Sequence, residues 1–434
     1  MAAAQLPPQH PQRLALALEL HARPFPQLTA PCRAVHVAFK VARNAAERDP
    51  ETDRDHLRIL LDRFGAPHPP PGADHYVGSL GRVMLKWESH TEFVSYTLFG
   101  EGTADVPFDG TTFSLFPQDW LLDAPGEVIA AALVRVEAVE SRETAETRLT
   151  NGLERWFVRE SLAASHVSDG QATVASDFRI HEDGMVRFAV LAQPELGPRR
   201  LGRLVQRLLE IETYRAMSML ALPIARRALR RLTEVDRDLA ALMRGIADDS
   251  ESARKTLDVL TVKSAEIERM ATDGAFRFGA AQAYETILHE RIDTLRESRM
   301  GGRQTIREFM ARRYDPAMRT CRAAQARIAE LSTRAARIAD LLRTRVDVAM
   351  SLSNQRLLES MDRRADLQLR LQKTVEGLSV VAISYYAVSL GAYMLKPVSE
   401  ETGVSEGFLT AAITPVVVLG VWAFVRRLRA ELER

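Results

Sequence analysis

The hydrophobic rhythm of the chain changes three times. Up to about residue 196, short apolar runs and two-residue alternations are broken by Gly, Pro and Asp clusters. This is the pattern of strands mixed with a few helices. It predicts a short helix over His10–Leu20, stopped by Pro24 and Pro26, and a strand over Ala34–Val41. An amphipathic helix over Asp53–Phe64 and the loop Pro67–Gly72 follow. Arg82–Glu88 and Glu92–Phe99 read as strands joined at Ser89–Thr91, Val128–Val139 as a strand and Thr144–Phe157 as a helix. Gln171–Ile180 and Met185–Ala192 read as an antiparallel pair turning at Glu182-Asp183-Gly184. Without strict strand–helix alternation, residues 1–196 are expected to form an α+β domain on a largely antiparallel or mixed sheet.

From residue 197 strand patterning disappears and Ala, Leu, Arg and Glu dominate, all good helix formers. A mainly α-helical region is expected over 197–316, with helices near 199–246, 250–272, 275–299 and 303–314. Its breaks fall at Asp248-Asp249-Ser250, Gly301-Gly302 and Asp315-Pro316, and Pro223 splits or bends the first helix. A very long stalk helix is expected over 317–377. Ile328, Leu331, Ala335, Ile338 and Leu342 give it a short seam of alternating three and four spacing that falters at Arg345.

Residues 378–434 then change character altogether. Leu378–Leu395 and Phe408–Val425 are each 18 residues long without a single charge. As helices they reach about 27 Å, enough for a bilayer core of about 30 Å. Arg363, Arg364, Arg370 and Lys373 precede the first run, and Arg426, Arg427, Arg429 and Arg434 follow the second. The linking loop 396–407 holds Lys396 against Glu400, Glu401 and Glu406. The positive-inside rule therefore predicts a two-helix transmembrane hairpin with both termini in the cytoplasm and the loop outside. Gly377, Ser384, Ala387 and Gly391 share one face of the first span. Such a small-residue face serves either packing between the two spans or a seam around an oligomer axis that lines a pore.

Charge narrows the function classes. With 58 Lys+Arg against 57 Asp+Glu, the formal net charge is +1, which argues against a nucleic-acid binder. Two cysteines, Cys32 and Cys321, exclude a disulfide scaffold and a cysteine zinc site. The opening residues carry no apolar segment of a secretory signal. Gly78-Ser79-Leu80-Gly81 lacks the Lys-Ser/Thr of a phosphate loop, and neither a nucleophile elbow nor a His-Glu-x-x-His helix occurs. No cofactor is implied and an enzyme is not expected. The best chemical candidate is KWESHTEF. In a continuous strand Lys86, Glu88, His90 and Glu92 share a face, placing an imidazole between carboxylates as a metal or acid–base site requires. The competing reading is a solvated polar face with Trp87 and Phe93 turned inward. His21 and Arg23 in LHARPF read as ordinary helix-end capping.

The segments HPQRLALALELHARPF, KWESHTEF, LGRLVQRLLEIETYR and GLSVVAISYYAVSLGAY resemble a bacterial family of unknown function catalogued as predicted membrane-anchored proteins. That resemblance covers nearly the whole chain and implies an inner-membrane protein with a cytoplasmic body. The architecture also resembles the CorA-type divalent-cation channels, whose Gly-Met-Asn signature is missing: the matching place reads Ala392-Tyr393-Met394-Leu395-Lys396. Besides a cytoplasmic enzyme on an anchor, which would need Glu88, His90 and Glu92 to converge with other polar groups in a pocket, two functions stay open. One is a membrane-tethered scaffold or interaction protein in contact with the lipid bilayer, a homo-oligomer with an unidentified protein partner. The other is a CorA-like oligomeric channel or transporter with the first span lining the pore.

Overall fold

A computed structural model of the chain describes residues 9–19, 25–41, 48–245, 250–402 and 405–432. Its strands are β1 (Cys32–Lys40), β2 (His75–Leu80), β3 (Val83–Ser89), β4 (Phe93–Glu101), β5 (Glu127–Ala138), β6 (Ala163–Val167), β7 (Ala172–Ser176), β8 (Val186–Ala192) and the two-residue β9 (Ser298–Arg299). Together they make one nine-stranded sheet in the order β2-β3-β4-β1-β5-β8-β7-β6-β9. Every pairing is antiparallel except β5 with β8, so the sheet is mixed. The helices are α1 (Arg13–Glu19), α2 (Pro50–Arg63), α3 (Gln118–Leu122), α4 (Arg142–Arg148), α5 (Gly197–Met219), α6 (Ala221–Gly245), α7 (Ser250–Asp293), α8 (Ile306–Arg313), α9 (Asp315–Thr402) and α10 (Glu406–Leu432).

The chain divides into two compact units. One is Met1–Arg244 with Val259–Arg337, and the other is Gly245–Asp258 with Ile338–Arg434. In the first, both faces of the sheet are covered, which is why its central strands read as nearly continuous apolar runs. Odd-numbered residues of β1 such as Val37 and Phe39 join Leu57, Leu60 and Leu61 of α2, Trp87 of β3, Tyr96 of β4 and Trp120 of α3 in one core. Ala38 points the other way, with Phe93, Ala130 and Met217 of α5. Helix α2 starts where Asp49 accepts the Glu51 backbone N–H, with Pro50 at its first turn. Helix α8 starts on a full capping box between Thr305 and Glu308. Gly202 lets α5 slide under the 25–31 segment, because a Cβ there would collide with the Pro26 carbonyl oxygen.

Several local expectations change. Thr144–Phe157 is helical in α4 only to Arg148, then tightens and widens through π and 3₁₀ turns. The first long helix breaks at Leu220, which leaves Pro223 in the opening turn of α6, where its missing N–H costs no helical bond. No break occurs at 272–275, since α7 runs through Gly274. The break assigned to Asp248-Asp249 lies outside the described residues, as do His21 and Arg23. The stalk helix is continuous in α9 for 88 residues, and all five seam residues from Ile328 to Leu342 are buried.

Candidate functional site

Three neighbouring strands place a row of polar side chains under α5. Because side chains alternate along a strand, Leu85 and Trp87 enter the core on one face while Lys86 and Glu88 point to the other. Register then sets Lys86 beside Thr97 of β4, Thr97 beside His36 of β1, and Glu88 beside Ser95. Above them, Gln206, Leu209, Glu210, Thr213 and Tyr214 recur at helical three and four spacing and so share one face of α5. With Arg291 of α7, His90, Phe93 and Phe25, they enclose a cavity of ≈ 180 Å³.

The imidazole of His36 is fully committed. Thr213 donates its hydroxyl to the Leu209 carbonyl (2.9 Å), so it accepts from His36 Nε2 at 3.0 Å, and Nδ1 then accepts from Thr97 at 2.8 Å. Burial, then the nearby Lys86 and His90, push its pKa down to about 3, so it stays neutral at physiological pH. Lys86 is 3% exposed. Its Nζ lies 3.0 Å from Glu88 Oε1, yet the angle makes no hydrogen bond, and among the described residues the buried ammonium has no other partner. Gln206 donates Nε2 to Glu210 at 2.8 Å, while its Oε1 is buried without a donor. Glu210 also accepts from Arg291. The lining therefore holds two cations, Lys86 and Arg291, against two carboxylates, Glu88 and Glu210.

The KWESHTEF residues part company at the turn after β3. Glu88 and His90 line the cavity, and the His90 ring stacks on Phe93 with centroids 4.3 Å apart. The His90 carbonyl accepts from Arg48, which also pairs with Asp53. Burial raises the Asp53 carboxyl above its ordinary pKa, against the pull of Arg48 and Ser89. Glu92 leaves the cavity instead. Its carboxylate takes both Arg277 nitrogens at 2.6 and 2.8 Å and the Tyr284 hydroxyl at 3.1 Å. Glu88, His90 and Glu92 thus do not converge, and no group of three or more metal-ligating side chains occurs among the described residues. The solvated-face reading also gives way: Lys86 and Glu92 are buried, and Trp87 and Phe93 belong to cores on opposite faces of the sheet. His36, Thr97, Gln206 and Thr213 were missed by sequence reasoning. The available signal was a histidine at the centre of the apolar run AVHVAF.

In the second unit, α9 and α10 carry the two apolar stretches. Their most hydrophobic 18-residue windows are 6% and 0% buried. Tyr385, Tyr386, Leu390, Val416 and Leu419 are all exposed. Of the small-residue face, Ser384 is buried, Ala387 and Gly391 are half-buried and Gly377 is exposed. A Cβ on Gly391 would sit 3.7 Å from Ile413 Cδ1 of α10, so this part of the face packs inside the hairpin. Arg426, just past the apolar run of α10, holds its guanidinium 5.1 Å over the Trp422 ring.

Fold and site together define an α+β sheet domain with a long helical region and a terminal pair of helices apolar enough to cross a membrane. The chain belongs to the family described as "Protein of unknown function (DUF3422)", which matches residues 8–432. No curated protein and no solved structure matches it.

Proposed function

We propose that this protein is a membrane-tethered scaffold or interaction protein of the bacterial inner membrane, held by the α9–α10 hairpin with its sheet domain and both termini in the cytoplasm. One observation carries the reading: the uncharged windows of α9 and α10 are 6% and 0% buried, so their apolar side chains need lipid or another copy to cover them. The flanking arginines against Glu400, Glu401 and Glu406, which lie at the facing ends of α9 and α10 rather than in a loop, support the orientation. Gly391 against Ile413 favours packing between spans of one chain, which weighs against a pore built on that face and so against the CorA-like alternative.

The test uses the two native cysteines, both buried, as a silent background. The full chain should remain in the membrane fraction at high salt and leave it only with detergent. A membrane-impermeant maleimide should label Ser405→Cys on intact inner-membrane spheroplasts, and Arg427→Cys only after permeabilisation. Recovery of the chain in the aqueous fraction refutes the anchor, and labelling of the two sites in the reverse order refutes its orientation. Mass measurement in detergent decides assembly, and ion flux in liposomes separates a scaffold from a channel.

A further inference from the structure

We propose that the cavity under α5 binds a small zwitterion the size of a free amino acid, with its carboxylate on Lys86 and its ammonium between Glu88 and Gln206. This goes beyond the membrane reading and stands independently of it.

The argument begins with two buried groups whose hydrogen bonding is incomplete. Lys86 Nζ has three donors and Gln206 Oε1 has acceptor capacity, and both belong to residues more than nine-tenths buried that line one cavity. Buried polar groups in folded proteins are nearly always satisfied by protein, water or a bound group, and these two line the same cavity. The two differ in kind. One seeks an acceptor and the other a donor; a hydroxyl offers both, so charge rather than hydrogen-bond count selects the ligand.

Charge decides the ligand class. Lys86 and Arg291 balance Glu88 and Glu210, and His36 is held neutral by burial and the nearby Lys86 and His90. A dianion would meet two carboxylates in this lining, and a simple cation would meet two basic groups. A zwitterion adds no net charge and offers each side its complement. Lys86 and Glu88 already attract one another at 3.0 Å without a hydrogen bond. A carboxylate on Lys86 and an ammonium on Glu88 would supply the charge-assisted bonds that this pair lacks.

Size and walls set the rest. A cavity of ≈ 180 Å³ compares with about 150 Å³ for one that takes benzene, so the ligand has roughly six to nine non-hydrogen atoms. Phe25, Phe93 and Phe99 give it an apolar side, which suits a short aliphatic or cyclic side chain.

The experiment is calorimetry on the full chain in detergent, using glycine, alanine, valine and proline as probes. Succinate, putrescine, and N-acetyl and methyl-ester derivatives of the same amino acids serve as controls. At least one free amino acid should bind saturably, and blocking either its amine or its carboxylate should abolish binding. Lys86→Met and Gln206→Leu should each weaken binding by about tenfold or more, the loss expected for a hydrogen bond to a charged group. Near-UV circular dichroism confirms that each variant keeps its fold. Should one variant fail to fold, the other decides together with the blocked ligands. Failure of all four probes to bind, equal binding of succinate or of the blocked derivatives, or unchanged binding in both folded variants overturns the proposal.

Discussion

The two units break the usual rule of burial in opposite directions. In the sheet unit charged side chains are inside: Lys86, Glu92, Asp53 and Arg277 are each under a tenth exposed. In the C-terminal unit large apolar side chains are outside, from Met350 through Leu378 and Tyr386 to Phe424. Exposed apolar residues taken singly are ordinary, but two continuous uncharged stretches are not. A buried charge requires a specific partner at a specific angle, whereas an exposed apolar helix requires only a low-dielectric surrounding. The first unit is therefore sensitive to single atoms, and the second to the character of a whole stretch.

The largest effect should come from the pair that most strictly obeys the first requirement. Glu92 and Arg277 are 185 residues apart and join the start of β4 to α7, with both carboxylate oxygens and the two terminal guanidinium nitrogens engaged. Glu92→Gln leaves a buried guanidinium without its counter-charge and should cost about 3–5 kcal/mol. Chemical denaturation of the full chain in detergent measures it. Adding Arg277→Met should return part of the loss, since the second charge no longer needs compensation. A cost below about 1 kcal/mol for the single change would place the pair in the class of solvent-screened surface bridges.

The second unit predicts a different response. Val416 lies near the middle of the apolar run of α10 and is 68% exposed. If lipid covers it, Val416→Arg places a guanidinium near the bilayer centre at a cost of about 2.5–3.5 kcal/mol, and the membrane-bound fraction should fall. Val262 on α7 is exposed to the same degree, 66%, but belongs to the sheet unit. Val262→Arg should change stability by no more than about 0.5 kcal/mol. Equal fractionation of both variants would show that exposure means the same thing in both units.

How legible each unit was follows from the same difference. Apolar character is a property of consecutive residues, so the runs over 378–395 and 408–425, which the structure places in α9 and α10, stand out in the sequence. The seam from Ile328 to Leu342 was readable for a similar reason, because its spacing is local. The cavity is not local. His36 meets Thr97 across 61 residues and Thr213 across 177, and no window of sequence contains that row. KWESHTEF could be singled out, but treating it as one continuous strand put Glu92 on the wrong side of a turn. Strands β2, β6 and β9 escaped notice on local grounds: HYVGSL holds a glycine, AASHV is short, and β9 has two residues that pair only because β6 is beside it. The gap expected between 250–272 and 275–299 does not form: it holds Gly274, and one glycine costs a helix only about 1 kcal/mol, which the surrounding packing outweighs.

A smaller and more selective effect comes from pH, because neither apolar run contains Asp, Glu, Lys, Arg or His. His36 is held down to about 3 in the folded chain, against an ordinary 6.5. Between those values the unfolded chain takes up a proton that the folded chain refuses. The stability this histidine contributes is thus complete above pH 6.5 and declines as pH falls, by about 1.4 kcal/mol per pH unit. His56 and His166 are also lowered by burial, against the Trp120 carbonyl and Glu146 respectively, and act with the same sign. Asp53, raised by burial, acts with the opposite sign. Denaturation curves from about pH 7.5 to about pH 5 should show a falling free energy whose slope drops by about one proton in His36→Gln. Glutamine can still accept from Thr97 and donate to Thr213, so the change tests titration rather than the loss of the bridge. An unchanged slope in that variant would mean that His36 takes up its proton without disturbing the row, and that the sheet tolerates charge there as readily as water does.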